Sequence, residues 1–360
     1  MTTRNVASIL PTLASFAFRP FQDERDYESL AQIIAAESQA DGLSFFPTAG
    51  WLKNMFESAS NADLARDVLI AEDTRTLEAA AYGRIRRSEQ ADGTRRYTIT
   101  VRVHPAWRRR RLGTTLSRWL EARAGEIDHT LTPNPSTVIE TWALDTQLGN
   151  IALLKREGYW PVRYGYEMTR PLGDGTPIPD LRLPASFEVR PARPEHYRAI
   201  WEADVEAFRD HNGFAEPDEA GYQAWLNDPT FFQPQLWKIA WHIQTNEIAG
   251  MVQNYVNAEE NARLGRKRGY TENISVRRRF RKQGLARALI AGSLHMHAAL
   301  GMTEAALGVD ATNPTGALRV YEDCGFRRVK TEVTYQKRMT TQAPDMTHDG
   351  RVAGKQWTSS

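Results

Sequence analysis

One order of elements occurs twice in this chain, and that repeat constrains the fold more than any other feature. An alternating strand, Arg95 to Val103, runs through Pro105 and Trp107 into the basic run Arg108 to Arg111, then into a helix reaching about Ala124. Later, a strand from Tyr270 to Val276 runs into a second basic turn, Arg281, Lys282, Gln283 and Gly284. The helix after it carries Leu285, Leu289, Met296 and Leu300 on one expected apolar stripe. Val103 aligns with Val276, and Gly158-Tyr159 with Gly325-Phe326. A period of about 170 residues is too long for a solenoid and suits two copies of one domain.

The remaining elements keep the same order in both copies. In the first, the pattern predicts a strand at Phe16 to Phe21, helices at Asp23 to Ala40 and Trp51 to Phe56, and a hairpin of Asp67 to Glu72 with Leu77 to Ile85. A strand at Thr137 to Leu144, a helix at Asn150 to Glu157 and a closing strand at Tyr159 to Met168 complete it. Pro171 to Pro184 is dense in Pro and Gly and has no period, which marks a linker. After it the order restarts at Phe187 and ends with a strand at Val329 to Gln336. Residues beyond Met339 are polar and aperiodic and are expected to be disordered. The expected division is 15–170, a linker at 171–185, 186–339, and a tail at 340–360.

Composition narrows the class. The 360 residues are 41% hydrophobic and 25% charged, with no apolar run long enough to span a bilayer, so a soluble globular protein is expected. A net charge of +2 gives no global field to favour nucleic acid or a membrane surface. Cys324 is the single cysteine, which excludes an internal disulfide framework and a CxxC-type zinc site. The expectation is a cytoplasmic protein, monomer or homodimer, without metal, nucleic-acid or membrane partner. The mildly apolar start, Ala7 to Phe18, is interrupted by Pro11 and is not read as a signal peptide.

The chemistry concentrates in the second copy. A helix N-terminus offers unpaired N–H groups and a positive dipole end, and Gly284 has no Cβ to hold an anion away, so the basic turn is an anion cradle. Period-two alternation puts Glu272, Ile274 and Val276 on one strand face, an unusual place for a carboxylate. Asn313-Pro314 is expected to open the last helix, with Ala317, Val320, Tyr321 and Cys324 on one face and Gly325-Phe326 ending it.

Two of these patterns together resemble the motifs of the GNAT superfamily of N-acyltransferases: Arg281-x-x-Gly284-x-Ala286 after a strand, and Asn313-x3-Ala317-x3-Tyr321-Glu322-x2-Gly325-Phe326. The resemblance covers 186–339 well and 15–170 in part. It implies an α+β fold of two tandem GNAT domains, each a mixed, mostly antiparallel sheet flanked by helices. It also implies acetyl-CoA as donor and a small-molecule or peptidyl primary amine as acceptor. The family's cofactor contacts fall on Ile274, Ser275 and Val276 of the strand, on Arg281, Lys282, Gln283, Gly284, Leu285, Ala286 and Arg287 of the loop, and on Asn313. Tyr321 takes the place of the acid that protonates the leaving thiolate, and Glu272 that of the base. Asp210 and His211 fall where the family places its acceptor wall. In the first copy Arg111 matches Gly284, Ile99 matches Glu272 and Leu154 matches Tyr321, so that domain is expected to be noncatalytic. The rival readings are a noncatalytic acyl-CoA sensor and an antibiotic- or polyamine-modifying acetyltransferase.

Overall fold

The computed structural model describes residues 13–57, 63–173, 175–211, 214–312 and 316–339. Asn313, Pro314, Asn212, Gly213 and the tail at 340–360 lie outside the described residues. The first half runs β1 (Phe16–Pro20), α1 (Arg25–Asp41), α2 (Ala49–Glu57), α3 (Leu64–Asp67), β2 (Val68–Asp73), β3 (Ala79–Glu89), β4 (Arg95–Val103), α4 (Leu112–His129), β5 (Thr137–Leu144), α5 (Leu148–Arg156) and β6 (Trp160–Pro171). The second runs β7 (Phe187–Arg190), α6 (Tyr197–Phe208), α7 (Glu219–Leu226), β8 (Lys238–His242), β9 (Glu247–Tyr255), α8 (Ala258–Leu264), β10 (Arg268–Val276), α9 (Leu285–Ala299), β11 (Glu304–Asp310), α10 (Ala317–Asp323) and β12 (Arg327–Arg338). Among the described residues no helix is long and apolar enough to cross a membrane.

All twelve strands form one continuous sheet, ordered β1-β2-β3-β4-β5-β12-β6-β11-β10-β9-β8-β7. Two contacts are parallel, β4 with β5 and β10 with β11, and the rest are antiparallel. The halves therefore exchange their closing strands. β12 pairs with β5 through Val333 and Ala143, β6 pairs with β11 through Met168 and Leu307, and the two closing strands pair with each other. Each closing strand thus stitches its own half to the other, and the sheet has no seam.

Helices cover both faces. On one, α1 and α2 bury Leu30, Ile33, Leu52 and Phe56 against Val68, Ile70 and Tyr82, while α6 sets Ile200 and Ala203 against Ile239 and Met251. On the other, α4 packs Leu116 and Leu120 over Tyr97, Ile99 and Ile139, and α9 packs Leu285 and Leu289 over Ala249 and Val252. Each such aliphatic side chain, fully buried, contributes about 2 kcal/mol of transfer free energy.

The buried stripe of α9 differs from the expected one. Leu285 and Leu289 are buried, but the stripe continues through Ser293 and His297, whereas Met296 is half-buried and Leu300 is exposed. Both polar residues find partners inside. Ser293 Oγ donates to the Leu289 carbonyl and accepts from Asn254 Nδ2, and His297 Nε2 lies 3.2 Å from the Tyr270 carbonyl oxygen. Hydrogen-bonded burial costs little, so polarity alone did not mark the outer face.

Candidate active site

The second basic turn is built from backbone. Lys282 and Gly284 both take left-handed conformations, with φ of 62° and 81°, and Gly284 is the N-cap of α9. Left-handed residues alternating with right-handed ones turn successive N–H groups toward one side, which makes an anion nest continuous with the helix dipole. Arg281 secures this turn from beneath. Its Nε donates to the Val276 carbonyl at 2.9 Å, Nη2 to the Ala207 carbonyl at 3.0 Å, and Nη1 to Asp210 Oδ2 at 2.6 Å. Its guanidinium is thereby engaged on three sides and acts as a strut. Asp210 also pairs with Arg278, and the two guanidiniums hold its carboxyl below the usual range.

That geometry corrects one expectation. Asp210 and His211 line the cavity beside the nest, about 790 Å³, rather than an acceptor wall. Asp210 is neutralised by two arginines, and His211 packs on Phe208 with its pKa lowered by burial. Neither presents a free charge to an amine. Ile274, Ser275, Val276, Arg281, Lys282, Gly284, Leu285, Ala286, Arg287 and Tyr321 line this same cavity, so the structure brings most of the expected cofactor residues together. Gln283 is exposed on the turn between them, Arg287 also pairs with Asp323, and Asn313 is outside the described residues.

The neighbouring strand departs from simple alternation. Glu272 pairs with Gln253 but Ser275 with Met251, so β10 carries an extra residue, and Asn273 sits there at φ 44°. A bulge of this kind reverses the face of everything after it. Glu272 and Ser275 consequently share the face under α6 and α7, while Ile274 and Val276 turn to the face under α9. The expectation of one common face for Glu272, Ile274 and Val276 is therefore wrong, and the bulge is the cause. Gly250, opposite Val276, makes the close packing possible: a Cβ there would lie 2.7 Å from the Ser275 carbonyl oxygen.

Beyond the bulge, β10 leaves its parallel neighbour. The two strands pair only from Arg268 with Glu304 to Tyr270 with Ala306, and then diverge. An unpaired strand edge with a nest at its end is a site for an extended ligand ending in an anion. Tyr321 of α10 is 7% exposed and lines the nest cavity, and its hydroxyl makes no hydrogen bond among the described residues. Burial, then the nearby Glu272 carboxylate, raises its pKa well above that of a free phenol.

Glu272 lines a second cavity, of about 590 Å³, on the opposite face of the sheet. Its Oε1 accepts the Gly308 N–H at 3.0 Å, and it makes no ion pair among the described residues. Desolvation pushes its carboxyl up to about 8, with a smaller push from the charge of Glu167 and an opposing one from the Gly308 N–H. Both halves wall this cavity. Trp51 and Phe231 meet edge to face at 6.1 Å across it, and Lys330 Nζ donates to Ser44 Oγ at 3.2 Å. Sequence reasoning missed it, and it also missed Asp204 on α6. That carboxylate accepts from Ser275 Oγ at 2.8 Å and is raised to about 7 by burial. No local motif points to either, because each depends on the strand exchange or the bulge.

The first half repeats the loop and closes the gap. Arg109 and Arg111 take φ of 63° and 67°, Arg111 is the N-cap of α4, and Arg108 pairs with Asp41 at 2.7 Å. Yet Leu154 is buried at the position of Tyr321, and Arg102 lies over the Trp142 ring while bonding Glu37 at 3.0 Å. Only about 10 Å³ is left between β4 and β5 beside Leu154, although a cavity of about 630 Å³, lined by Val101, Val103, Arg111 and Leu153, remains beside the first nest.

A splayed parallel strand pair and an anion nest opening the next helix are the features that the resemblance in the sequence leads one to expect, and a bulge lies beside them. Residues 197–326 match the acetyltransferase (GNAT) family. The chain belongs to the GNAT superfamily and is an acyltransferase with two GNAT domains in tandem. It is 28% identical over 261 residues to a mycothiol acetyltransferase of Salinispora arenicola, covering 72% of this chain and 78% of that one. A mycothiol acetyltransferase of Geodermatophilus obscurus is 26% identical over 323 residues, covering 88% and 96%. A GCN5-related N-acetyltransferase from Sphaerobacter thermophilus superposes with a TM-score of 0.66 at 25% identity, covering 91% and 96%. A tandem GNAT protein from the clavulanic acid biosynthesis pathway shares the fold, with a TM-score of 0.65 at 14% identity, covering 89% and 98%.

Proposed function

We propose that this protein transfers the acetyl group of acetyl-CoA to a primary amine, and that the second half performs the chemistry. The observation that carries this reading is the placement of Glu272 and Tyr321 in the two cavities on opposite faces beside the β10–β11 splay, with no counterpart of either in Ile99 and Leu154. Acetyl-CoA supplies the activated acyl group and would lie along β10 from Ile274 to Val276, with its pyrophosphate on the nest of Lys282 to Arg287. The name borne by the relatives supports acetyl as the group moved.

Glu272 faces the cavity open to the acceptor, and its carboxyl at about 8 stands much closer to an alkylammonium than an ordinary carboxyl does. It removes the proton that the incoming ammonium must lose. Unpaired N–H groups on the β10 edge receive the negative charge that develops on the thioester oxygen. Tyr321, held protonated by burial, gives its proton to the departing sulfur. The C–N bond forms as the C–S bond breaks; the nitrogen's first proton reaches Glu272, and its second, lost after attack, restores the Tyr321 phenol that protonated the thiolate.

The experiment is a library of primary amines incubated with the full chain and acetyl-CoA, reading free thiol and acetylated product together. Thiol release that depends on an amine, with acetyl found on nitrogen, is expected. Tight acetyl-CoA binding without release from any amine would replace this reading with that of a sensor.

A further inference from the structure

The cavity that Glu272 opens onto has a second unpaired carboxylate at its far side. Glu332 of β12 lines it and makes no hydrogen bond or ion pair among the described residues, and burial raises its pKa. Arg163 and Arg102 line the same cavity and their charges oppose that rise, but each also faces other carboxylates. Arg102 bonds Glu37 at 3.0 Å, and Arg163 is shared between Glu140 at 3.9 Å and Asp310 at 4.0 Å. The other carboxylates on the wall have partners: Glu167 has Arg268 and Lys330, Glu260 has Arg266, and Asp310 accepts from the Thr312 N–H and hydroxyl and lies 4.0 Å from Arg163. Glu272 and Glu332 are what remains.

The floor between them is cleared of side chains. Gly308 of β11 carries the N–H that bonds Glu272, and Gly165 of β6 pairs with Glu332 itself. A Cβ at Gly165 would meet the Glu332 side chain at 3.7 Å, and one at Gly308 would meet Glu272 Oε1 at 3.8 Å. Aromatic rings close the sides, including Trp142, Tyr164, Trp51 and Phe231. Aromatic faces favour a cation, and an apolar methylene chain packs against them equally well.

Taking the functional reading above, in which this cavity admits the acceptor, we propose that the acceptor is an elongated dicationic amine: Glu272 receives the nitrogen to be acetylated, and Glu332 holds the second cation. Glu272 reaches over β11 to the Gly308 N–H, and the Glu332 side chain lies against Gly165 of β6, so the two carboxyl groups face one another across adjacent strands of the cavity floor. A linear diamine, or a lysine-like side chain carrying a further positive group, offers two cations on one flexible chain to such a pair. Because Glu332 lies on an exchanged strand, the specificity depends on the tandem arrangement.

Three amines of one length test the charge at the far end: 1,6-diaminohexane, hexylamine and 6-aminohexanoate. With the full chain and acetyl-CoA, thiol release should give a kcat/KM for the diamine about tenfold or more above hexylamine, with 6-aminohexanoate lowest. Glu332→Gln should bring the diamine-to-hexylamine ratio to within about twofold, through KM. Glu332→Lys should move the preference toward 6-aminohexanoate. Calorimetric binding of the same amines separates this proposal from the reading beneath it. Selective diamine binding without thiol release would sustain the cavity's charge preference and overturn the transfer reaction. Turnover with no preference among the three, or a preference that survives Glu332→Gln, overturns the dicationic acceptor. Neither binding nor turnover for any of them overturns both.

Discussion

Arg281 holds Asp210 at 2.6 Å, and the first half repeats the contact with Arg108 and Asp41 at 2.7 Å. In each half a carboxylate at or just beyond the end of the domain's first helix is tied to the basic turn, so the nest is fixed before any ligand arrives. Asp210→Asn should therefore loosen the nest and weaken acetyl-CoA binding by about three- to tenfold by calorimetry, with kcat little changed. Tighter binding in that variant would mean that Asp210 acts mainly by repelling phosphate.

Tyr321→Phe should lower kcat by about 10²-fold or more and leave the acetyl-CoA affinity nearly unchanged, because it removes one proton donor from a buried ring. Steady-state thiol release together with calorimetry checks both halves of the statement. Unaltered turnover would leave Tyr321 as a packing residue against Leu307 and Ile290.

Glu272 ties rate to pH. Its carboxyl at about 8 is neutral below that value, so wild-type kcat/KM should rise as pH passes through about 8. Glu272→Gln should lack that limb. Its deficit should be largest between about 8 and the acceptor's own pKa near 10, then shrink as free amine accumulates. A deficit constant with pH would mean that Glu272 positions the acceptor and does not deprotonate it.

The same shift has a stability consequence. The folded pKa lies above the ordinary value of 4.5, so the folded state holds this proton more tightly than the unfolded chain does. Stability then falls as pH climbs from about 4.5 through about 8. Glu272→Gln should raise the thermal midpoint at pH 8.5 by about 2 °C or more, with a smaller gain at pH 5. Equal gains at both values would place the effect in packing rather than charge.

Arg111 occupies a left-handed backbone that glycine adopts without strain. Arg111→Gly should stabilise the protein or leave it unchanged, by at most about 1 kcal/mol, and should not speed the reaction, since Leu154 still fills the gap. Thermal melts and thiol release measure the two. A gain in turnover would show that the first loop, and not the filled gap, keeps that half silent.

Much of this architecture was legible in the sequence, and the failures have identifiable causes. The duplicated turn-and-helix pattern carries its own backbone requirement, so the nest and its residues could be read from Arg281 to Arg287. The closing strands were located too, at Tyr159 to Met168 and Val329 to Gln336. Their partners were not, because two copies of one domain offer each strand two similar edges, and no local pattern ranks them. The side of Glu272 was misread because a bulge at Asn273 leaves no mark on a period-two pattern. The outer half of α9 was misread because Ser293 and the Nε2 of His297 find hydrogen-bond partners inside. The cavity beside Glu272 was invisible for a larger reason. Trp51, Trp142, Glu272 and Glu332 come from segments of both halves and meet only through the exchanged strands.

The most direct test of where the chemistry occurs is thiol release from acetyl-CoA with 1,6-diaminohexane, compared between Gly284→Glu and Arg111→Glu. Each variant sets a carboxylate at the head of one nest and leaves the other untouched. Gly284→Glu should abolish turnover, through added bulk and through like charge against the pyrophosphate. Arg111→Glu should retain most of it, and calorimetry on the wild-type chain should show one dominant acetyl-CoA site. Turnover that survives Gly284→Glu, or that is lost in a folded Arg111→Glu, would contradict the assignment of the reaction to the second half.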